Sequence, residues 1–201
     1  ALNIHGPALV TTNIVLATTG SASPGANVNL FSSVGAGASS LKITAGVGSV
    51  TVLGAITTTS TFDSSGTVFA NTAAGTVSAA GITINHTGLV SISGALDGLG
   101  NNVAITGAGI TTSGTGTING ADVQLAGTTG TVQVGAGVTG SLLVHSTGAG
   151  FTNIAQVQGL GVTIDHTGSA VNLDAKVDAG AGDVLVKGSS ITSNTSGLIN
   201  G

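Results

Sequence analysis

Short runs of alternating apolar and polar residues recur along the chain at intervals of about 20 residues. The first series of apolar pairs comprises Leu41/Ile43, Ile82/Ile84, Val103/Ile105, Val123/Leu125, Leu142/Val144, Val162/Ile164 and Val184/Val186. A second, less regular series comprises Val50/Val52, Val90/Ile92, Val132/Val134 and Val171/Leu173. Such alternation over a few residues is typical of β-strands with one buried side. The clusters of Gly, Ser, Thr and Asn between the pairs indicate turns.

A longer repeat of about 80 residues contains several of the short intervals. Residues Gly81–Gly88 read GITINHTG, and Gly161–Gly168 read GVTIDHTG. The run Phe69–Asn71 returns in the same way as Phe151–Asn153. Self-similarity at a fixed period is the signature of repeat architectures, so this pattern is the strongest indication of the fold.

The two periods together predict an all-β fold, a parallel β-helix or β-solenoid with coils of about 20 residues. One coil cannot bury its apolar side alone, whereas stacked coils that pair in parallel bury a continuous core. A β-sandwich or barrel is the alternative, but such folds do not generally repeat at a fixed period. We favour a right-handed coil and a single domain over 1–201, with repeat units of roughly 1–80, 81–160 and a partial 161–201. We expect the chain to be a segment of a longer one.

The amino-acid composition argues against several other classes of protein. Charged residues make up 5% of the chain, against about 25% in a typical soluble domain. Disorder requires low hydrophobicity and high net charge, and the apolar fraction of 41% with a net charge of −4 argues against it. The 35 glycines do not follow the every-third-residue spacing of collagen. With only three cations and no long apolar run, neither a nucleic-acid partner nor a membrane span is expected.

A family resemblance adds to this prediction. The segments Gly120–Gly127 (GADVQLAG) and Gly130–Gly135 (GTVQVG) resemble coils of filamentous-haemagglutinin-like exoproteins and of β-helical autotransporter passengers. The resemblance extends over nearly the whole chain and concerns the coil architecture. It implies secretion to the extracellular surface of a Gram-negative-type bacterium and a role in adhesion or surface structure. The family's secretion domain and translocator barrel are not recognised in these residues, so the export route is implied by likeness alone.

The leading functional hypothesis is therefore a structural stalk or passenger segment of a secreted bacterial surface adhesin, with no enzymatic activity and no cofactor. The alternative is a self-assembling extracellular filament or sheath subunit, because a β-helix has open strand edges that favour end-to-end self-association. A host or surface glycan or protein is the candidate receptor. A polysaccharide-active enzyme is less favoured, since Arg is absent and Lys42, Lys176 and Lys187 are isolated in sequence. An ice-binding surface is also less favoured, because Thr runs such as Thr57–Thr59 recur irregularly.

Four aspartates are the first candidates for a metal site. They fall within one coil's length, and Ca²⁺ prefers such hard oxygen ligands; they are Asp165, Asp174, Asp178 and Asp183. Their spacing does not match calcium-binding nonapeptide repeats, so solvated turn residues are the favoured interpretation and no metal is predicted.

Histidines provide a second, weaker candidate. His145 and His166 are one coil apart, and the spacing places Asp165 in register beside His145. Histidine is a common metal ligand, but too few partners can be named here. We predict that His166 and its repeat His86 are turn residues that precede Thr-Gly.

Phenylalanine and asparagine are assigned structural roles. The phenylalanines are predicted to fill wider parts of the core, and they are Phe31, Phe62, Phe69 and Phe151. Some asparagines are predicted to form or cap amide ladders at turns, and they are Asn29, Asn71, Asn102 and Asn153.

Overall fold

The computed structural model describes residues 1–20 and 24–201, and within these ranges all regular secondary structure is β-strand. In chain order the strands are β1 (Leu2–Ile4), β2 (Ala8–Leu9), β3 (Ile14–Ala17), β4 (Val28–Leu30), β5 (Val34–Gly37), β6 (Leu41–Thr44), β7 (Val50–Val52), β8 (Ile56–Thr58), β9 (Phe62–Gly66), β10 (Phe69–Asn71), β11 (Val77–Ser78), β12 (Ile82–His86), β13 (Val90–Ile92), β14 (Leu96–Asp97), β15 (Val103–Gly107), β16 (Ile110–Thr112), β17 (Ile118–Gly127), β18 (Val132–Val134), β19 (Val138–Thr147), β20 (Phe151–Asn153), β21 (Val157–Gln158), β22 (Gly161–Leu173), β23 (Val177–Asp178), β24 (Val184–Ser193) and β25 (Ile199–Asn200).

Parallel pairing between coils arranges these strands into three faces. Face A consists of β1, β4, β7, β10, β13, β16, β18 and β20, with the later parts of β22 and β24. Face B consists of β2, β5, β8, β11, β14, β21, β23 and β25, with the first parts of β17 and β19. Face C consists of β3, β6, β9, β12 and β15, the later parts of β17 and β19, and the first parts of β22 and β24.

The stack is a β-solenoid of about eight turns that lie roughly 21 residues apart. On face C the register runs from Ile14 to Val184 in one uninterrupted series of parallel pairs. At a strand spacing of about 4.8 Å, these turns extend roughly 40 Å along the axis. The predicted all-β parallel β-helix and its coil length are therefore confirmed.

The core is a set of columns, each made of the side chains that occupy one inward position in successive coils. Val28, Val50, Val90 and Val132 share such a column on face A and are fully buried. β-branched residues suit these positions because their side chains pack well on a pleated surface. Each coil thus buries its apolar residues against the coils before and after it.

Face B also contributes to the core, although neither apolar series in the sequence identifies it. Its inward column is fully or almost fully buried in the middle coils, and it includes Ile56, Val77, Leu96, Ile118 and Val138. Only one apolar residue per coil marks this face, because most of its strands contain two or three residues. Alternation cannot be recognised over so short a run.

Two sequence-based assignments to the core are wrong. Leu142 is 56% exposed, and the inward pair of this strand is Val144 and Ser146, the register partners of Val123 and Leu125. A register shift between Gly120 and Asp122, where β17 pairs with β19, displaces the expected pattern.

Phe31 lies at the surface and not in the core. It is 43% exposed, and its ring stacks on that of His5 with centroids 4.4 Å apart. Phe62, Phe69 and Phe151 are buried as predicted. Phe31 follows the inward residue of its strand, so alternation directs its side chain outward at the corner between faces A and B.

At the two ends of the described stack, inward-facing side chains are less covered. Ile191 and Ile199 are 50% and 53% exposed, although they pair with the fully buried Val171 and Val177. At the opposite end, inward residues such as Ile14 are only partly buried against the core. Each end therefore presents an apolar cross-section.

Candidate functional site

Two polar pairs interrupt the aliphatic core, and they are the most distinctive chemistry in the chain. The hydroxyl of Ser64 lies 2.9 Å from Nε2 of His86, and the hydroxyl of Ser146 lies 3.0 Å from Nε2 of His166. All four residues are at most 3% exposed. Both histidines were predicted to be turn residues, and this prediction is wrong because each side chain points into the solenoid.

Each serine replaces an aliphatic residue in one column of face C. The column is otherwise apolar throughout, and its members in order are Leu16, Ile43, Ser64, Ile84, Ile105, Leu125, Ser146, Ile164 and Val186. A buried hydroxyl without a partner costs free energy, so a serine in this column requires a hydrogen bond. The histidine of the next coil provides that bond in both cases.

Glycine makes space for the imidazole rings. Gly66 pairs with His86, and Gly188 pairs with His166. A Cβ atom on Gly66 would lie 3.2 Å from Cε1 of His86 and 2.7 Å from the carbonyl oxygen of Gly48. The column that holds the histidines therefore accommodates a ring only where its neighbour has no side chain.

Each imidazole also contacts a phenylalanine. The rings of Phe69 and His86 have centroids 5.6 Å apart at an interplanar angle of 62°, and those of Phe151 and His166 are 5.4 Å apart at 46°. Both phenylalanines belong to the inward column of face A that elsewhere holds Val, Ile or Leu. Edge-to-face and tilted contacts of this kind are favourable for aromatic rings.

A buried asparagine completes the repeated group. Asn71 donates from Nδ2 to the carbonyl oxygens of Gly75 and Gly94, and its Oδ1 accepts from the amides of Ser93 and Gly94. Asn153 donates to two carbonyl oxygens in its own copy. Unlike that of Asn71, its Oδ1 has no hydrogen-bond partner.

The 80-residue repeat thus corresponds to a three-dimensional unit, which we call the polar module. The first module contains Ser64, Phe69, Asn71 and His86, and the second contains Ser146, Phe151, Asn153 and His166. Each module spans two consecutive coils. The predicted amide role of the two asparagines is confirmed in the sense that both side chains bond backbone groups at a turn.

The hydrogen-bond partners assign the imidazole tautomers. The amide of Gly150 donates to Nδ1 of His166 at 3.3 Å, so Nδ1 is the acceptor and Nε2 carries the proton that is donated to Ser146. Nδ1 of His86 has no partner. An unpaired acceptor costs less than an unpaired N–H, so the same tautomer is favoured there.

Burial disfavours the charged form of both rings. Burial lowers the pKa of His86 from its usual 6.5 to about 4. Burial also lowers the pKa of His166, against the opposing effects of the Gly148 carbonyl and the nearby Asp165 carboxylate; His145 lowers it slightly further. Both histidines are therefore neutral at pH 7.

A serine beside a histidine is also the composition of a nucleophilic pair, but the geometry here does not suit that chemistry. Nucleophilic catalysis requires a hydroxyl that a substrate can reach and a group that orients the base. Ser64 and Ser146 are 3% and 1% exposed. Nδ1 of His166 is held by a backbone amide and not by a carboxylate. The pairs act as core hydrogen bonds.

The four aspartates proposed as calcium ligands lie on different sides of the rod. Asp165 is on face C, where it accepts from Thr167 and pairs with Lys187 at 3.1 Å. Asp178 is on face B and pairs with Lys176. The other two, Asp174 and Asp183, lie outside the strands in the loops before β23 and before β24. Across residues 1–20 and 24–201, no three His or Asp side chains are placed to hold a metal ion.

Lysine and hydrogen-bond donors stabilise the charged form of two aspartates. The Lys176 ammonium, with the Gly180 amide and the Asn200 side chain, lowers the pKa of Asp178 to about 2. Hydrogen bonds from Thr167 and Lys187 lower the pKa of Asp165. These contacts account for both carboxylates without a metal ion.

The predicted neighbourhood of His145 and Asp165 is not formed. His145 pairs with Thr163, whereas Asp165 pairs with Thr147 two positions farther along the strand. The side chain of His145 points outward while that of His166 points inward. The sequence spacing gives the coil correctly but not the position within it.

One depression of about 280 Å³ lies on the outer side of face C. Its polar lining includes Lys42, Asp63, Ser65, Thr83 and Asn85. Lys42 and Asp63 are register partners, yet they form no ion pair within 4 Å among the residues that the structure describes. The depression is polar and lies on an open strand surface, so it offers no enclosed site for a ligand.

Comparisons with known proteins do not assign the chain to a family. No family model, curated protein or solved structure matches the chain. Within the described parts of the chain there is no helix that is long and apolar enough to cross a membrane.

Proposed function

We propose that this chain is a stiff structural segment, a stalk or passenger region of a secreted bacterial surface adhesin. The observation that carries the proposal is the unbroken parallel register of face C from Ile14 to Val184. A stack in which every coil is paired with both neighbours transmits position along its axis without a hinge. Such a rod suits the display of another module at a distance from a surface.

The placement of the reactive groups supports a mechanical role. The Ser–His pairs are enclosed in the core, and two of the three lysines pair with aspartates. The outward row of face A is neutral along the whole stack, and its members are Asn3, Asn29, Thr51, Ala70, Ser91, Thr111, Gln133, Thr152, Asn172 and Thr192. Such a surface is soluble without offering a charged or aromatic anchor for a tightly bound partner.

Small-angle scattering and electron microscopy of the chain at neutral pH test the rod. We expect separate rods roughly 40 Å long, given a strand spacing of about 4.8 Å. A globular particle, or a rod whose length varies from molecule to molecule, would contradict the proposal. Antibodies against the chain, applied to intact producing cells, test the surface location. Labelling confined to permeabilised cells would contradict it.

End-to-end assembly is a second candidate function, favoured by the exposed inward side chains of Ile191 and Ile199. Unpaired strand edges beside exposed apolar residues attract a further strand. Particle length that grows with protein concentration at constant thickness would support assembly. A constant length up to millimolar concentration would exclude it for this chain.

A further inference from the structure

The two serine–histidine pairs have no counterpart in the coils between them. The serine column holds Ile84, Ile105 and Leu125 in the intervening coils, and all three are at most 2% exposed. The aliphatic column is therefore continuous except at Ser64 and Ser146. Among residues 1–20 and 24–201, the modules contain the two buried histidines.

Protonation of either imidazole conflicts with its surroundings. In the charged form both ring nitrogens are donors. At His86 the new N–H would point into an apolar site in which Nδ1 has no acceptor. At His166 the new N–H would face the Gly150 amide, which is itself a donor, although the Gly148 carbonyl lies nearby.

No charged group faces His86 to offset this conflict. It packs against β9, β10 and β15, and the only titratable side chain on those strands is Asp63, which points outward from face C. His166 has three charged or titratable neighbours, all on outward positions: Asp165 on its own strand, His145 on β19 and Lys187 on β24. Asp165 favours the charged ring, whereas His145 disfavours it.

We propose that the two buried serine–histidine pairs are acid-sensitive joints, at which proton uptake expels the imidazole from the core and separates the adjoining coils locally while the intervening coils stay stacked. Local opening is expected in a solenoid because each coil contacts only its neighbours. Between the two joints lies an aliphatic segment whose residues 87–144 contain no histidine. Acid then converts one stiff rod into short segments joined by flexible links.

The direction and the size of the pH effect on coil opening follow from the linkage between histidine protonation and opening. The closed form favours neutral histidine, so its stability is complete above pH 6.5 and is lost as the pH falls toward the lowered value. For His86, with a pKa of about 4 in the closed form, the opening equilibrium constant rises roughly 60-fold between pH 7 and pH 4.5. His166 is expected to charge at a higher pH, because a carbonyl is available to the added proton.

Hydrogen–deuterium exchange of the unmodified chain at pH 7 and pH 4.5 tests the proposal directly, with rates corrected for intrinsic exchange. We expect protection to fall by tens of fold in the segment 62–92, and to fall also in the segment 144–173. The segment 103–134 serves as an internal control, because it contains no histidine, and it should keep its protection. A uniform loss over all coils, or a loss restricted to the two ends, would overturn the proposal.

Variants with substitutions in the core test whether the serine–histidine pairs cause the acid response. Ser64→Ala with His86→Phe in one module, and Ser146→Ala with His166→Phe in the other, remove both members of each serine–histidine hydrogen bond. In the second module the Gly150 amide also loses its acceptor, Nδ1 of His166. We expect this variant to lose the pH dependence of local exchange. If it retains the acid-induced loss in 62–92, the histidines are not responsible.

A matched control addresses the remaining histidines. The variant with His5→Gln and His145→Gln removes two side chains that lie outside the core. It should open between pH 7 and pH 4.5 as the unmodified chain does. If this control abolishes the acid response, surface histidines carry it and the proposal fails. Should the core variant not fold, the segment comparison in the unmodified chain still decides the question.

Discussion

The two polar modules differ in the hydrogen bonding of their asparagines, and this difference permits a matched mutational test. Asn71→Ala removes four hydrogen bonds at the turn after β10, with distances between 2.8 and 3.2 Å. Asn153→Ala removes two, at 2.9 and 3.2 Å. Both side chains are almost completely buried, so the loss of volume is the same and cancels in the comparison.

The expected loss of stability follows from the bond count. At about 0.5 to 1.5 kcal/mol for each bond, Asn71→Ala should lower the free energy of unfolding by about 2–6 kcal/mol and Asn153→Ala by about 1–3 kcal/mol. A third variant, Asn71→Leu, keeps the core filled, since Leu30 and Leu173 occupy the same column in other coils. It should remain destabilised, because the backbone groups of Gly75 and Gly94 lose their partners.

Guanidinium unfolding followed by far-UV circular dichroism measures these losses, since the chain has no Trp or Tyr for fluorescence. Repeat arrays do not always unfold in one step, so exchange of the Ser93 and Gly94 amides provides a local reading of the same change. Equal losses for Asn71→Ala and Asn153→Ala, or an Asn71→Leu variant as stable as the unmodified chain, would refute the assignment of stability to these bonds.

Three further substitutions test other parts of the fold. Gly75→Ala should disrupt its turn, because a Cβ there would lie 2.0 Å from a carbonyl oxygen of the preceding coil, whereas Gly6→Ala has no atom within 4 Å and should be neutral; thermal unfolding compares the two. Val144→Ala should lower the free energy of unfolding by about 2 kcal/mol or more, whereas Leu142→Ala should lower it by under about 0.5 kcal/mol because that side chain is exposed. Equal effects would contradict the observed register. Asp178→Asn should destabilise the chain at pH 6, and the difference should disappear as the pH falls from 3.8 toward 2, because the lowered pKa makes the carboxylate stabilising only where it is charged; an unfolding series over that pH range measures it.

Much of the architecture is predictable from the sequence because two of the three faces alternate visibly. Pairs such as Val90/Ile92 and Ile82/Ile84 do occupy inward positions, and the spacing of the copies is close to the coil length. Face B is not predictable in this way, since a strand such as β11 contains only two residues. The position of Leu142 is missed because a register shift in the neighbouring strand cannot be recognised from composition.

The polar modules are only partly predictable. The repeat of His86 at His166 is visible, but a histidine before Thr-Gly has the local sequence of a turn. Its burial depends on a glycine that pairs with it in an adjacent coil. The sequence does contain a signal for the serine that bonds each histidine. Ser64 stands two residues after Phe62, where the alternating pattern calls for an apolar residue, and Ser146 follows Val144 in the same way. Such a polar residue at an inward position indicates a buried hydrogen bond.

Because one coil is the smallest unit that preserves every column, the length of this rod can change only in whole increments. Removing one complete turn shortens the axis by about 4.8 Å and brings matching columns together again. Removing a single residue instead turns the following inward side chains outward. An excision that separates a buried serine from its histidine leaves an unpaired polar group in the core, so the turns between the modules are better sites for excision than the turns that form them. Recombination between repeats can therefore lengthen or shorten the rod in these increments while its two acid-sensitive positions are inherited intact.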